Sequence, residues 1–214
     1  IIKAVANGRN VYRNIRNAIR FLLSGNTAGI LGVVYASLMA LPQPFQAVHL
    51  LFINLLTDSL PAIAIGMEPA EKDLLKEKPR DPKESILTKD FVINILVQGT
   101  LIAVCTMAAF HIGLRGGDAA LASTMAFATL TAARLFHGFN GRSHHSIFRI
   151  GFSGNWYTLW AFLAGMALLN LVLFVPILQG LFSVTPLNLE QVGTVYLFAV
   201  IPTVMIQIVK VIKE

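Results

Sequence analysis

The chain has 214 residues, of which 55% are hydrophobic and only 13% charged. Soluble domains usually carry roughly 25% charged residues, so an ordinary soluble globule is excluded. The net charge is +6, but the basic residues fall in the gaps between apolar runs, which argues against a nucleic-acid-binding surface. The runs are about 20 residues long, the length at which a helix crosses a bilayer.

Residues 1–20 read as a charged helix. Arg9, Arg13, Arg16 and Arg20 recur at spacings of four, three and four, so they share one helical face. That face suits either a rigid stalk or anionic lipid headgroups. A first span is expected over about 20–41, ended by Leu41-Pro42-Gln43-Pro44, because proline cannot continue a helix interior. The second span is expected over about 47–66, followed by a polar, proline-containing loop over 67–89. Third and fourth spans are expected over about 90–113 and 119–139, separated by Arg115-Gly116-Gly117-Asp118. A basic loop over 140–155 precedes a fifth span at about 156–178 and a sixth at about 192–212. Trp156, Tyr157 and Trp160 open the fifth span with side chains that favour a membrane interface.

The expected fold class is therefore all-α, a single polytopic membrane domain with six transmembrane helices. Basic residues gather before the first span, in 67–89 (Lys72, Lys76, Lys78, Arg80, Lys83, Lys89), in 140–155 (Arg142, Arg149) and at Lys210 and Lys213. The alternate loops hold Arg115 alone. This is the positive-inside pattern, and it puts both termini in the cytoplasm. The single cysteine, Cys105, lies in an apolar run and suggests neither a disulfide framework nor a zinc site. The chain opens on Ile1 with a charged helix and reads as the end of a longer protein, with no signal peptide.

Two spans carry an ionisable group deep inside: Asp58 in the second and Arg134 in the fourth. Each costs about 2.5–3.5 kcal/mol at the centre of an isolated membrane helix. Asn54 and Asp58 are four apart and are expected on one helix face, with Thr57 adjacent. Pro61 has no N–H, so the Thr57 carbonyl loses its helical partner. An amide oxygen, a carboxylate and a freed carbonyl make a hard oxygen set suited to Ca²⁺ or Mg²⁺. One helix cannot supply the six to eight oxygens that Ca²⁺ takes, and Asn26 in the first span is a further candidate. The competing readings are interhelical hydrogen bonding for the two asparagines and a buried Asp58–Arg134 ion pair. No phosphate-cradling glycine loop and no nucleophile–base pattern is present.

Asn54-Leu55-Leu56-Thr57-Asp58-Ser59-Leu60-Pro61-Ala62 resembles the sixth transmembrane helix of the Ca²⁺-type P-type ATPases. Pro79-Arg80-Asp81-Pro82-Lys83-Glu84 is similar to their loop between helices six and seven, and Gly8-Arg9-Asn10-Val11-Tyr12-Arg13-Asn14-Ile15 to the stalk of helix five. The resemblance covers the whole chain as helices five to ten. It implies that Asn54 and Asp58 are ligands of the calcium site nearer helix four, and that Thr57 and Asn26 fall on ligands of the second site of two-ion pumps. It also implies that Arg9 and Arg13 belong to the coupling stalk. Where two-ion pumps have glutamates in helices five and eight, this chain has Gly29 and Arg134. Both changes remove acid, so the resemblance is to bacterial single-site calcium pumps with Arg134 as a built-in counter-cation.

The phosphorylated Asp-Lys-Thr-Gly-Thr motif, the nucleotide and actuator domains and helices one to four are not in this sequence. The expected partners are those parts of the same pump, which would use ATP and Mg²⁺, together with membrane lipid. The expected location is the cell membrane, and this chain alone is expected to be inactive. The rival cations are Na⁺, H⁺ and Mn²⁺. Rivals of another class are a six-span channel or secondary transporter, for which an inverted repeat would speak, and a non-transporting assembly module, which full Asp58–Arg134 pairing would favour.

Overall fold

The structure is a computed structural model that describes residues 2–71, 74 and 85–214. The Pro79–Glu84 loop motif and Lys72, Lys76, Lys78, Arg80 and Lys83 lie outside the described residues. Among the described residues the regular structure is helical, and six helical segments are long and apolar enough to cross a membrane.

The first helix, α1 (Ile2–Leu38), is continuous from the arginine-bearing segment through the first apolar run. Its 37 residues span about 55 Å, against a hydrocarbon thickness of about 30 Å. The helix is therefore longer than a single crossing requires. The helix ends at Leu38, before the expected proline stop. Ala40 takes a positive φ of 53° and the Leu41 N–H closes the turn on the Ala36 carbonyl at 2.8 Å.

The second span is composite. α2 (Ala47–Phe52) runs into a π-helical turn over Ile53–Thr57, and α3 (Ser59–Gly66) continues it. Then follow α4 (Lys89–Leu114), α5 (Ala119–Gly141), the single turn α6 (Ile147–Ile150), α7 (Trp156–Phe174), α8 (Pro176–Leu181) and α9 (Leu189–Lys213). Side-chain caps mark four of the starts. Thr88 accepts from Phe91 N–H, Asp118 from Leu121 N–H, Asn155 from Tyr157 and Thr158 N–H, and Asn188 from Gln191 N–H; each satisfies amides that a helix start otherwise leaves open. The expected fifth span to 178 is broken at Val175, which is extended (φ −90°, ψ 116°). The following Pro176 disfavours the α region for the residue before it, so the span ends at Phe174 and a separate turn begins.

α5 is the central helix. Its side chains are buried almost throughout from Ala122 to Gly141, and it packs against α1, α3, α4, α7 and α9. The composition explains the position. Its run of Ala, Ser, Thr and Gly lets neighbouring backbones approach closely, which is how helices associate where no hydrophobic effect separates protein from lipid. The core around it includes Phe110, Met125, Phe127, Leu130 and Leu169. Trp156, Tyr157 and Trp160 are exposed at the start of α7, where indole and phenol suit the interfacial region.

Candidate cation site

The π turn places the acid. Inserting one residue per turn gives i→i+5 hydrogen bonds, and here Asp58 N–H bonds the Ile53 carbonyl at 2.9 Å. The helix resumes beyond Pro61 with Ala62 N–H on the Asp58 carbonyl at 3.1 Å. The turn separates two residues that uniform α spacing would hold on one face. Asp58 is buried against α5, whereas Asn54 is exposed.

Arg134 reaches Asp58 from α5. Its Nη2 donates to Asp58 Oδ2 in a close ion pair and to Asn26 Oδ1 at 3.1 Å. Both charged side chains are 3% exposed, so the pair is shielded from solvent. Gly25 of α1 makes room for it: a Cβ there would overlap the guanidinium. The pair is incomplete. Asp58 Oδ1 and Arg134 Nε are buried and have no hydrogen-bond partner. A buried unpartnered carboxylate oxygen is costly and calls for an explanation such as an ion or a functional role.

Beside the pair lies a groove of about 420 Å³ lined by Asn26, Gly29, Asn54, Arg134 and the aliphatic Ile30, Val33, Val34 and Leu50. Asn26, Asn54, Asp58 and Arg134 therefore meet in one region. Thr57 does not join them through its hydroxyl, which donates to the Ile53 carbonyl of its own helix at 3.1 Å. Among the described residues no group of three or more His, Cys, Asp or Glu side chains is disposed to hold a metal. The oxygens here are two amides and one carboxylate, an incomplete shell for a calcium ion.

The arginine face of α1 meets protein. Arg9 Nη1 donates to the Leu74 carbonyl at 3.2 Å, and Arg13 Nη1 lies 3.0 Å from Glu71 Oε2. Arg16 donates to Thr88 Oγ1 at 3.1 Å and sits over the Phe91 ring. Arg20, buried, donates to Asn17 Oδ1 at 3.2 Å and touches His144 Nδ1 at 3.1 Å. The stripe thus holds the segments that follow α3 and precede α4, and the loop after α5. That loop is also tied to α9: Glu214 accepts from Ser146 N–H at 2.7 Å and from its hydroxyl at 2.8 Å. These bonds hold the Glu214 carboxyl below its ordinary pKa.

Sequence reasoning missed one buried ion pair, Glu68 with Arg142. Arg142 Nε donates to Glu68 Oε2 at 2.9 Å and Nη2 to Oε1 at 2.8 Å. Both residues fall in segments that read as polar loops in the sequence. A signal was present in the asparagines Asn10, Asn14 and Asn17, which repeat along one face of α1. Asn10 and Asn14 donate to the Glu68 carbonyl, and Asn17 to the Arg142 carbonyl.

Residues 42–212 match the family described as cation transporting ATPase, C-terminus. The chain belongs to that family. A Bacillus cereus protein named calcium-transporting ATPase 1 is 38% identical over 232 residues, covering 100% of this chain and 26% of that protein. A Bacillus subtilis calcium-transporting ATPase is 41% identical over 191 residues, covering 87% of this chain and 22% of the relative. The human calcium-transporting ATPase type 2C member 1 is 34% identical over 191 residues, covering 88% and 21%. The chain thus spans about a quarter of the length of these relatives. It is a multi-pass membrane domain of the cation-transporting ATPase family, in agreement with the resemblance carried by helix six.

Proposed function

We propose that this domain is the ion-holding portion of an ATP-driven pump that exports Ca²⁺ across the cell membrane, one ion per cycle. The observation that carries the reading is the half-paired Asp58: one carboxylate oxygen held by Arg134, the other buried and without a partner. A purely structural pair would be completed by hydrogen bonds, because a half-satisfied buried network is worse than an apolar core. A pair that alternates with a cation has to leave ligand capacity open. The names of the bacterial relatives support calcium as the cargo.

In this reading Asp58 and Asn54 provide the charged and neutral oxygens of the site, with Asn26 alongside and Thr57 contributing its main chain. The remaining ligands come from helices one to four of the same pump. Arg134 takes the position of a second cation. When the transported ion leaves, its guanidinium holds Asp58, so the emptied carboxylate is not left uncompensated in the bilayer. ATP and Mg²⁺ act in cytoplasmic domains outside this chain, and both of its termini lie on that side. Na⁺, H⁺ and Mn²⁺ remain the rival cargoes, since these oxygens do not by themselves reject them. The relatives' names speak against a channel, a secondary transporter and an assembly module.

The test is phosphoenzyme formation from ATP by the full-length pump, with Ca²⁺, Na⁺ and Mn²⁺ compared, and Ca²⁺ bound per phosphorylated molecule counted. Phosphorylation driven by Ca²⁺ with a ratio near one is expected. A ratio near two overturns the single-site assignment, and a response to Na⁺ or Mn²⁺ alone overturns the cargo.

The stalk assignment makes a separate prediction. Arg9 and Arg13 bind the segment that follows the ion-carrying helix, so they are placed to transmit its movement. Replacing both by Gln is expected to slow turnover about tenfold, or about 1.4 kcal/mol on the barrier, while apparent ion affinity stays nearly constant. Failure of the variant to insert, measured by membrane fractionation, supports the headgroup reading instead.

A further inference from the structure

Two Arg–carboxylate pairs flank the contact between α3 and α5. The inner one is Asp58–Arg134; the outer one, Glu68–Arg142, lies ten positions further along the segment that contains α3 and eight further along the one that contains α5. Along α5 that separation is about 12 Å. Between the two rungs the helices are in close contact. Pro61 lies against Gly138, and a Cβ at Gly141 would come within 2.6 Å of Ile65. The two helices therefore cannot slide past each other without breaking a charged rung or this contact.

The rungs differ in how fully they are bonded. The inner one leaves Asp58 Oδ1 and Arg134 Nε open. The outer one leaves nothing open. Both Glu68 carboxylate oxygens accept from Arg142, and Oε2 also accepts from Asn155 Nδ2 at 2.7 Å. The third arm of Arg142, Nη1, donates to the Gly151 carbonyl at 2.9 Å. Asn155 also donates to the Ala64 carbonyl at 2.8 Å, while its oxygen caps α7. The Glu68 carbonyl accepts from Asn14 at 2.8 Å and Asn10 at 3.1 Å, both on the stalk part of α1. A single residue just beyond α3 is thus bound to α1, to the end of α5 and to the start of α7.

We propose that Glu68 and Arg142 form a permanent outer rung, a pivot that converts exchange at Asp58 into movement of the stalk. The inference rests on the functional reading above. An exchangeable pair needs a fixed reference: if the cytoplasmic end of the ion-carrying helix were loose, displacement of Arg134 by a cation would be absorbed there. With that end locked to α5, α7 and the stalk asparagines, the change at Asp58 is taken up at the π turn and delivered to α1. Glu68 and Arg142 touch neither ion nor nucleotide in this scheme. They are positioning residues.

The experiment compares the full-length pump with its Arg142→Lys and Glu68→Gln variants, measuring equilibrium binding of the transported cation and cation-stimulated ATP turnover. Arg142→Lys keeps the buried carboxylate paired but loses the fork and the bond to Gly151. It is expected to bind the cation within about threefold of the unsubstituted pump yet turn over about tenfold more slowly, which corresponds to about 1.4 kcal/mol on the barrier. Glu68→Gln is expected to show the same split, more strongly, in whatever protein folds. Turnover equal to the unsubstituted pump in Arg142→Lys overturns the proposal. So does a fall in cation affinity that matches the fall in turnover, because the pair would then belong to the ion site or to general stability. The cation is whichever one stimulates the unsubstituted pump, so a wrong cargo defeats the calcium reading and leaves the pivot to be judged on its own split.

Discussion

Replacing Asp58 by Asn in the full-length pump is expected to abolish cation-dependent phosphorylation from ATP. Two physical losses combine. The site loses the carboxylate on which the hard-cation reading depends, and Arg134 loses its buried counter-charge. Removing one partner of a buried pair typically costs about 3–5 kcal/mol, so part of the effect is destabilisation. The double variant Asp58→Asn, Arg134→Gln separates the two. It removes both charges, so stability in the membrane is expected to recover while the response to Ca²⁺ stays absent. Normal Ca²⁺ affinity in the single variant removes Asp58 from the site.

The second large effect has the opposite sign on binding. Arg134→Gln is expected to lower the thermal stability of the ion-free pump and to raise its apparent Ca²⁺ affinity. On the mechanism proposed above, an entering cation takes Asp58 from the guanidinium that holds it in the unsubstituted pump. Apparent affinity is therefore intrinsic affinity reduced by the fraction of molecules in which the carboxylate is available. Without Arg134 that reduction disappears, and a gain of about tenfold corresponds to about 1.4 kcal/mol of lost competition. The ion-free state meanwhile holds an uncompensated buried carboxylate, which Ca²⁺ itself can neutralise, so added Ca²⁺ is expected to restore stability by linkage. Equal stability of variant and parent without ion shows that the pair contributes nothing to the empty state. A loss of Ca²⁺ affinity shows that Arg134 supports the ion and does not compete with it.

What was legible in the sequence is what depends on local sums. Six apolar runs of bilayer length, a polar island at Asn54, Thr57 and Asp58 just before Pro61, and a basic charge bias in alternate loops can each be read from a short window. Hydrophobic length and proline chemistry act within a few residues, and six helical segments are long and apolar enough to cross a membrane. The misplaced ends have local causes that a window cannot rank: the positive φ at Ala40 closes α1 early, and the residue before Pro176 breaks the fifth span.

The tertiary structure alone decided which charges are paired. Asp58 and Arg134 are 76 positions apart and Glu68 and Arg142 are 74 apart. Whether they meet depends on the rotation of two separate helices about their axes. Arg142 counts toward a cytoplasmic basic loop in the sequence, yet it is 1% exposed in the fold. The positive-inside bias reports which side of the membrane a charge is on, not whether protein or water surrounds it. The π turn at Ile53–Thr57 is likewise invisible in composition. It separates Asn54 from Asp58, and packing against α5 then buries the acid beside Arg134 while leaving the amide on the groove. Sequence determined the spanning helices and the residues too polar to be there by accident, because both follow from the cost of polar groups in hydrocarbon. Packing decided which of those residues face one another, because that cost is relieved only by a partner in space.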